Sequence, residues 1–482
     1  MRPSRTEHFT TSFSRKAAFM ALASALALSA CAAISNDGPG AQAKAPASYE
    51  VARTFAAPAA DWPANDWWKA YGDAQLDQLM AEALSGSPTL AQADARLRRA
   101  QALTAQAHAA ELPSVTANAG VREAKQSYND GIPAAFVPQG YNDYGRATLD
   151  FNWELDFWGK NRAAVAAATS EARAAEADAA EARLVLSTNV ATAYADLARL
   201  YASRDVVERT IASQSETTDL VRQRVANGLD TLGEQREAEA EPLQSQADLA
   251  SLDEQIALTR NRLAALLGQG PDRGLAIARP QIGALKSFGL PSSLPADLVG
   301  RRPDVVAARW RAEAATSRIK QAKAQFYPDI NLAGFIGGEA LHLDKLFSSG
   351  SDIGSIGSAV SLPIFEGGRL RAGLRGAEAS SDEAVAAYDG VVTEAFRQVA
   401  DVVASQHGLA AQLQQSQAAL SASEAAYGIA RQRYSGGLTT YSALLQAEQN
   451  VLRRRRAVAD LQSRAFTLDV ALVRALGGGF QS

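Results

Sequence analysis

The chain has 482 residues, a formal net charge of −4 and only 7% aromatic residues. Bulky side chains are too scarce for several compact cores, so the composition favours long, closely packed helices rich in alanine. The small negative net charge gives no reason to expect nucleic acid as a partner.

The first 30 residues have the pattern of a bacterial export signal. Basic residues precede an apolar run over residues 17–30, which is too short to span a bilayer as a helix. The run ends at Leu28–Cys31, which resembles a lipobox, so Cys31 is the predicted site of a covalent lipid anchor. In bacterial lipoproteins the residue after the lipidated cysteine sorts the protein between membranes, and Ala32 in place of an aspartate implies the outer membrane. A buried structural thiol is the alternative for Cys31.

Small residues dominate the chain as far as the first predicted helix. Residues 31–65 are rich in Ala, Pro and Gly, and we predict a lipid-anchored linker there. The segment Asp66–Asp73 then precedes an amphipathic helix, and Pro88 starts a second helix that reaches about Glu111.

Two segments with period-two patterning follow. Strands are predicted over about 113–122 and 144–157, with a Gly-, Pro- and Asn-rich loop between them. A soluble sandwich strand and a membrane barrel strand both fit this period, but the long charged face opposite the apolar one favours the barrel. The predicted lipid-facing residues of the second strand are Leu149, Phe151, Trp153, Leu155 and Phe157.

A long helical hairpin is predicted after the strands. From Trp158 to about Asn227 the sequence contains no proline, and a helix of that length extends about 100 Å at 1.5 Å per residue. A turn at residues 227–229 leads into a second helix, which we expect to be interrupted only at Pro242 and to end at Gly268.

An internal duplication accounts for most of the chain. Leu220–Leu232 aligns without a gap on Ile429–Tyr441, 209 residues later. This period is too long for a solenoid unit, so two copies of a domain or half-structure are predicted. Repeat 1 covers residues 66–285 and repeat 2 covers residues 290–482.

The second repeat follows the same order of elements. A helix is predicted from Leu294 with a local break at Pro303, followed by strands at about 328–336 and 354–365. A second long hairpin turns at residues 436–438.

Four membrane strands per chain cannot close a barrel. An open edge in lipid leaves backbone groups unpaired at several kcal/mol each, so closure requires several chains. Two chains would give eight strands filled by their own side chains, whereas three give twelve strands and a lumen that holds water. The same oligomer would assemble the hairpins into a helical tube.

Several motifs occur together in one order: the lipobox, Trp67-Trp68, Arg301–Asp304 followed by Phe326–Ile330, and Leu362–Gly368. Together they resemble the TolC-like outer membrane factors, most closely the lipoprotein branch (NodT-type) of resistance-nodulation-division (RND) efflux systems. The resemblance implies a mainly α-helical homotrimer with a 12-stranded membrane β-barrel, continued by a long periplasmic α-helical tunnel. It also implies docking to a periplasmic adaptor protein and, through it, to an inner-membrane RND pump.

The implied function is a passive exit duct for small toxic solutes or drugs, as in multidrug resistance. The exit duct of a type I protein-secretion system would share this architecture, although the lipobox favours a pump for small molecules. A non-channel structural lipoprotein is a further alternative, but a spacer does not need lipid-facing strands. The chain has no G-x-S-x-G, phosphate-loop or H-E-x-x-H motif, so we predict no enzyme activity, no metal site and no cofactor beyond the lipid on Cys31.

By the same resemblance, the two hairpin turns form the periplasmic tip where the adaptor docks. Glycine in these turns also permits positive φ, which is sufficient reason for its presence. The predicted docking residues are Gly228, Leu229, Gly437 and Leu438.

In the family, the tip is held shut by a tyrosine and an acid networked to an arginine, with further aspartates around the entrance. Tyr434 and Glu234 match the tyrosine and the acid, whereas Thr439 stands at the arginine's place. Ala443 and Gln446 stand where aspartates occur, and Asp230 and Glu237 are alternative sources of negative charge. The candidate gate residues are Asp230, Glu234, Tyr434 and Gln446.

Overall fold

The computed structural model describes residues 40–283 and 288–481. The predicted export signal, the lipobox and Cys31 lie outside the described residues. Among the helices in those ranges, none is both long enough and apolar enough to cross a bilayer.

Helices and strands alternate in the same order in the two repeats. The first repeat contains α1 (Ala74–Gly86), α2 (Pro88–Ala109), β1 (Ser114–Ala124), β2 (Asn142–Glu154), α3 (Lys160–Ala226) and α4 (Leu232–Leu266). The second contains α5 (Leu294–Arg301), α6 (Pro303–Ala324), β3 (Asp329–Leu341), β4 (Asp352–Ser361), α7 (Arg369–Ser435) and α8 (Tyr441–Ala475).

The duplication seen in the sequence is also a structural duplication. Helices α3 and α7 each have 67 residues and begin 209 residues apart, at Lys160 and Arg369. Helices α4 and α8 each have 35 residues, and their N-caps are Thr231 and Thr440. In both caps the threonine hydroxyl accepts a hydrogen bond from the backbone N–H three residues on, so the same capping chemistry starts each returning helix.

Pro242 does not interrupt α4, contrary to the prediction. A proline inside a helix removes one backbone hydrogen bond and crowds the preceding turn. The flanking residues Ala238 and Ser245 are both buried, so tertiary packing holds the helix on each side of the proline.

The four strands form one antiparallel sheet in the order β1-β2-β3-β4. Pairing of β2 with β3 joins the two repeats, for example through Phe151 opposite Gly334. The register puts apolar residues from all four strands on one face. That face, called here the apolar face, includes Val115, Val121, Leu149, Phe151, Trp153, Leu332, Ile336, Ile356 and Val360.

Strand β2 ends at Glu154, so Leu155 and Phe157 lie beyond the strand rather than on it as predicted. Leu155 N–H still donates to the Ile330 carbonyl (2.8 Å), but Phe157 N–H donates back to the Leu155 carbonyl (2.9 Å) in a tight turn. The Asp156 carboxylate then accepts from Arg162 N–H (2.8 Å), at the start of α3. The alternation of apolar and polar residues therefore continues past the end of β2 into the N-terminal cap of α3.

The other strand boundaries also differ from the predicted ones. Strand β1 runs to Ala124 because it pairs with β2 as far as Asn142. Strand β3 extends to Leu341 because Gly337 belongs to the sheet: a Cβ there would lie 2.0 Å from the Ala147 carbonyl oxygen. Strand β4 ends at Ser361, shortly before Pro363, which has no N–H to continue the ladder.

The chain divides into two compact units, and the unit containing residues 98–173 and 309–387 holds the sheet. The other unit holds the ends of the long helices and the helical core. Part of the predicted linker belongs to this core, because Tyr49 packs on Phe396 with ring centroids 5.2 Å apart. Aromatic side chains therefore tie a segment of small residues to the helices.

The Trp67-Trp68 motif lies in the main core of the helical unit. Both tryptophans are buried with Tyr71, whose ring meets Phe466 edge-on at 4.5 Å. Asp73 caps α1 and accepts a hydrogen bond from the Tyr194 hydroxyl (2.7 Å). This motif anchors the N-terminal segment of the helical unit against the long helices.

Candidate functional site at the hairpin turns

The two hairpin turns have the same backbone geometry. Gly228 and Gly437 adopt φ values of 73° and 72°, in the left-handed region that favours glycine. The next N–H, from Leu229 or Leu438, donates to a carbonyl five residues earlier, at 2.8 Å and 2.7 Å respectively. This is a Schellman cap, and it leaves both leucines exposed, at 63% and 70%.

Behind the turns lies a buried polar cluster of Arg224, Asp230 and Tyr434, called here the tip lock. Arg224 donates two hydrogen bonds to the Asp230 carboxylate, from Nε (2.8 Å) and Nη2 (3.1 Å). The hydroxyl of Tyr434, which is fully buried, donates to Asp230 Oδ2. Arg224 Nη1 also donates to the Tyr434 carbonyl (2.9 Å), and its guanidinium lies 4.6 Å from the ring centroid.

The tip lock therefore links the two hairpins, because Arg224 and Asp230 belong to the first and Tyr434 to the second. The side chains of Arg224 and Asp230 are only 12% and 7% exposed. A bidentate, charge-assisted pair of this kind is both stronger and more directional than a surface ion pair.

Electrostatics keep the tip lock charged over a wide pH range. Burial alone would raise the pKa of Asp230, but hydrogen bonds from Arg224 and Tyr434 hold that pKa below its ordinary value. The hydrogen bond to Asp230 raises the pKa of Arg224. Burial, with the adjacent Asp230 carboxylate, raises the pKa of Tyr434. Neither a neutral nor a mildly acidic medium should disrupt these contacts.

An apolar cluster supports the tip lock from the helix side. Tyr434 packs near Tyr441, with ring centroids 6.1 Å apart. The other buried members of this cluster are Val221, Ala238, Leu444 and Leu445. Apolar packing on one side lowers the local dielectric and strengthens the ion pair.

Comparison with known proteins identifies the chain. A family profile described as "Outer membrane efflux protein" matches residues 79–269 and 294–478, one range within each repeat. The chain belongs to the outer membrane efflux protein family.

Two curated relatives illustrate the family. The chain is 40% identical over 369 residues to the fusaric acid resistance protein FusA of Burkholderia cepacia, covering 75% of this chain and 69% of that protein. It is 31% identical over 473 residues to the multidrug resistance outer membrane protein MdtP of Shigella flexneri, covering 96% of each.

Solved structures share the fold of this efflux protein. The outer membrane protein VceC from Vibrio cholerae is 48% identical, with a TM-score of 0.83 over 87% of this chain and 100% of that one. The outer-membrane channel OprN is 30% identical, with a TM-score of 0.85 over 92% and 99%. The predicted fold class is confirmed: the chain is mainly helical and contributes four strands to a membrane β-barrel. Its function as the outer membrane channel component of an efflux pump is confirmed as well.

The efflux protein places its predicted gate residues in different environments. Asp230 and Tyr434 meet in the tip lock, whereas Glu234 completes a capping box: its carboxylate accepts from Thr231 N–H (2.8 Å), and its own N–H donates to the Thr231 hydroxyl (3.2 Å). Gln446 is exposed on α8 and takes no part in the tip lock.

Arg224 is the functional candidate that the sequence analysis missed. The resemblance puts the arginine at Thr439 of the second repeat, whereas the structure supplies it from the first. Its counterpart 209 residues later is Arg433, which donates a long hydrogen bond (3.4 Å) to the Leu438 carbonyl. Asp230 has no acidic counterpart, because Thr439 occupies that place. The sequence signal that could have identified Arg224 is that this arginine occurs in both repeats, whereas the acid Asp230 occurs only in the first.

On the sheet, Leu149, Phe151 and Trp153 lie on the apolar face, as the register requires. Leu149 is 51% exposed in the single chain. The Trp153 indole N–H donates to the Glu111 carbonyl just after α2 (2.9 Å), so the polar atom of this side chain on the apolar face is satisfied.

Proposed function

We propose that this efflux protein acts as a homotrimeric, passive exit duct. Small toxic solutes or drugs enter it from an inner-membrane RND pump, through a periplasmic adaptor, and leave through the barrel. The observation that carries the proposal is the four-stranded sheet, whose terminal strands β1 and β4 each pair on one side only within the described chain.

Closure explains the oligomer. Unpaired strand edges in lipid cost several kcal/mol per backbone group, so β1 of one copy must pair with β4 of the next. Three copies give twelve strands, which is enough for a lumen with water. The inner face supports this, since it carries Arg146, Asp150 and Glu154 opposite the apolar face.

The hairpin turns suit a docking surface for the adaptor. Leu229 and Leu438 are exposed beside turns that the Schellman geometry holds rigid, which places two apolar side chains for insertion into a partner groove. The tip lock behind them is the proposed gate, and helix rearrangement at the turns would break it to open the duct.

The names of the relatives guide the substrate class. One is named for resistance to fusaric acid and another for resistance to multiple drugs. We infer small toxic organic compounds as cargo rather than proteins, so the exit duct of a type I secretion system is the second candidate. No group of three or more potential metal ligands occurs among the described residues.

A complementation assay tests the proposed function. The chain is expressed with its cognate adaptor and RND pump in a strain that lacks other outer membrane efflux ducts, and efflux of a fluorescent dye is recorded. Restored efflux supports the proposal. A trimer that reaches the outer membrane but restores no efflux of any small molecule, while a protein substrate is secreted, would favour the secretion duct.

Lipid anchoring at Cys31 is the remaining part of the proposal. The lipobox residues support it, and acyl chains would hold the protein in the outer membrane. Cys31→Ser should abolish labelling by radioactive palmitate, and persistent labelling would contradict it.

A further inference from the structure

A depression of about 430 Å³ lies between β1 and β2, near the loop end of the sheet. Six of its eight lining residues lie on the face opposite the apolar face, and it is called here the arginine niche. Its lining includes Asn118, Gly120, Arg122, Tyr144, Arg146 and Thr148. In a closed barrel this face borders the lumen, so a solute passing outward meets the niche.

Gly120 creates the space. In the sheet register it lies opposite Arg146, between Asn118 and Arg122 on the same face. A Cβ at Gly120 would find no atom within 4 Å, so the hollow reflects an absent side chain rather than a close backbone contact.

Two arginines border the hollow, each stacked on an aromatic ring. The Arg122 guanidinium lies 4.3 Å from the Tyr144 ring centroid, and that of Arg146 lies 5.1 Å from the Phe335 centroid. Stacking fixes a guanidinium plane and leaves its N–H edge available to an anion.

The acids around the niche neutralise only one of the two arginines. Arg146 donates to Glu339 (3.2 Å). Arg122 has no ion pair with any residue in the described ranges. The niche therefore keeps one guanidinium with unused donors beside a half-buried aromatic ring.

Asp150 marks the boundary of the niche towards the helices. Its carboxylate accepts hydrogen bonds from Asn118 Nδ2 (2.7 Å) and Thr148 Oγ1 (2.9 Å), so its acceptors are directed at those groups. The Asp150 carboxylate lies further from the β1–β2 loop than the niche does. Its negative charge therefore repels an anion in the niche from the helix end of the sheet and towards the loop end.

We propose that the arginine niche is a transit site for planar aromatic carboxylates. The carboxylate would pair with the Arg122 fork while the ring lies against Tyr144, in the space that Gly120 leaves. Binding at such a site has to be weak, on the order of millimolar, because a duct must also release its cargo. This inference rests on the proposed exit duct and names one class of its substrates.

Saturation-transfer NMR on the purified, detergent-solubilised trimer tests the niche directly. Benzoate is the probe, and cyclohexanecarboxylate is a matched anion without an aromatic ring. We expect benzoate to bind at least 3-fold more tightly than cyclohexanecarboxylate. Arg122→Gln should weaken benzoate binding by 5-fold or more, and Tyr144→Leu should remove the preference for the aromatic acid.

Lys125→Gln is the matched control. Its amine also lies over a tyrosine ring, 5.3 Å from the Tyr128 centroid, but it does not line the niche. This variant should keep wild-type benzoate binding. Benzoate binding that is absent from the wild type, or equal in Arg122→Gln and wild type, would overturn the inference. Because the assay measures binding alone, dye efflux by the same trimers separates failure of the niche from failure of the proposed duct.

Discussion

Arg224 makes hydrogen bonds that join the two hairpin turns of one chain. It binds the carboxylate of its own turn and the backbone carbonyl of Tyr434 in the other turn. A hydrogen bond to a charged group contributes about 2 kcal/mol. Arg224 donates three hydrogen bonds in the tip lock and the Tyr434 hydroxyl donates one, so loss of the guanidinium removes more. Arg224 therefore contributes more to the stability of the tip lock than the Tyr434 hydroxyl does.

Single-channel conductance tests whether Arg224 and Tyr434 contribute unequally to closure of the tip. Arg224→Gln should increase single-channel conductance or open probability several-fold in a planar bilayer, and Tyr434→Phe should produce a smaller increase. Arg433→Gln is the control, since it removes the corresponding arginine of the second repeat without touching the tip lock. Equal conductance of Arg224→Gln and wild type would show that these contacts do not hold the tip closed.

Glu181, on α3, makes stability depend on pH. Burial and the nearby Asp304 carboxylate raise the pKa of Glu181 to about 7, despite Arg302 and Arg474. A carboxyl whose pKa is raised in the folded state contributes stability below its unfolded pKa, and that contribution is lost as pH rises to about 7. The full effect is at most about 3 kcal/mol.

Melting temperatures test this assignment. Wild-type protein should melt at a lower temperature at pH 8 than at pH 5, and Glu181→Gln should reduce that difference by raising the melting temperature at pH 8. Glu176→Gln, an exposed change on the same helix, should leave the difference intact. An unchanged difference in Glu181→Gln would assign the pH dependence to other groups.

Residue roles were predictable where they depend on local backbone. A tight turn after a helix requires a residue with positive φ, which is why glycines mark both hairpin turns. The spacing of Thr231 and Glu234 fits a capping box. That local role is why Glu234, chosen as the gate acid, faces its own helix cap. Arg224 was not predictable in the same way, because its partners lie on both hairpins and only the fold brings them together.

At the scale of elements, the turn glycines differ in what they allow. Gly437 has a positive φ, which a residue with a side chain adopts at a cost of about 1 kcal/mol, whereas the adjacent Gly436 does not. Gly437→Leu should reduce dye efflux without lowering the amount of trimer, because it alters the docking surface. Gly436→Leu should have the smaller effect. Loss of trimer in Gly437→Leu would instead assign that glycine to folding.

Helices were easier to predict than strand ends. The 209-residue duplication carries over to the bounds of α3 and α7, because helix capping is encoded locally in each repeat. Strand ends depend on partners: Gly337 pairs within the sheet despite its loop-like composition, and Phe157 alternates correctly but lies in a turn. Period-two patterning alone cannot separate a strand from the cap that follows it.

For the whole molecule, the sheet of one chain is part of a larger structure. Its apolar face suits lipid, its opposite face is polar, and its terminal strands require neighbours. Composition and patterning were enough to predict four strands and several chains. Because the tip lock holds the two hairpin turns of each chain together, a resting trimer should conduct poorly.

Mass and conductance of the same purified sample test the central claim most directly. The protein is extracted from outer membranes in detergent, its mass in solution is measured, and its single-channel conductance is recorded in a planar bilayer. A trimer with small conductance that rises in Arg224→Gln is the predicted result. A monomer that forms no channel would contradict the account of a trimeric exit duct closed at its tip.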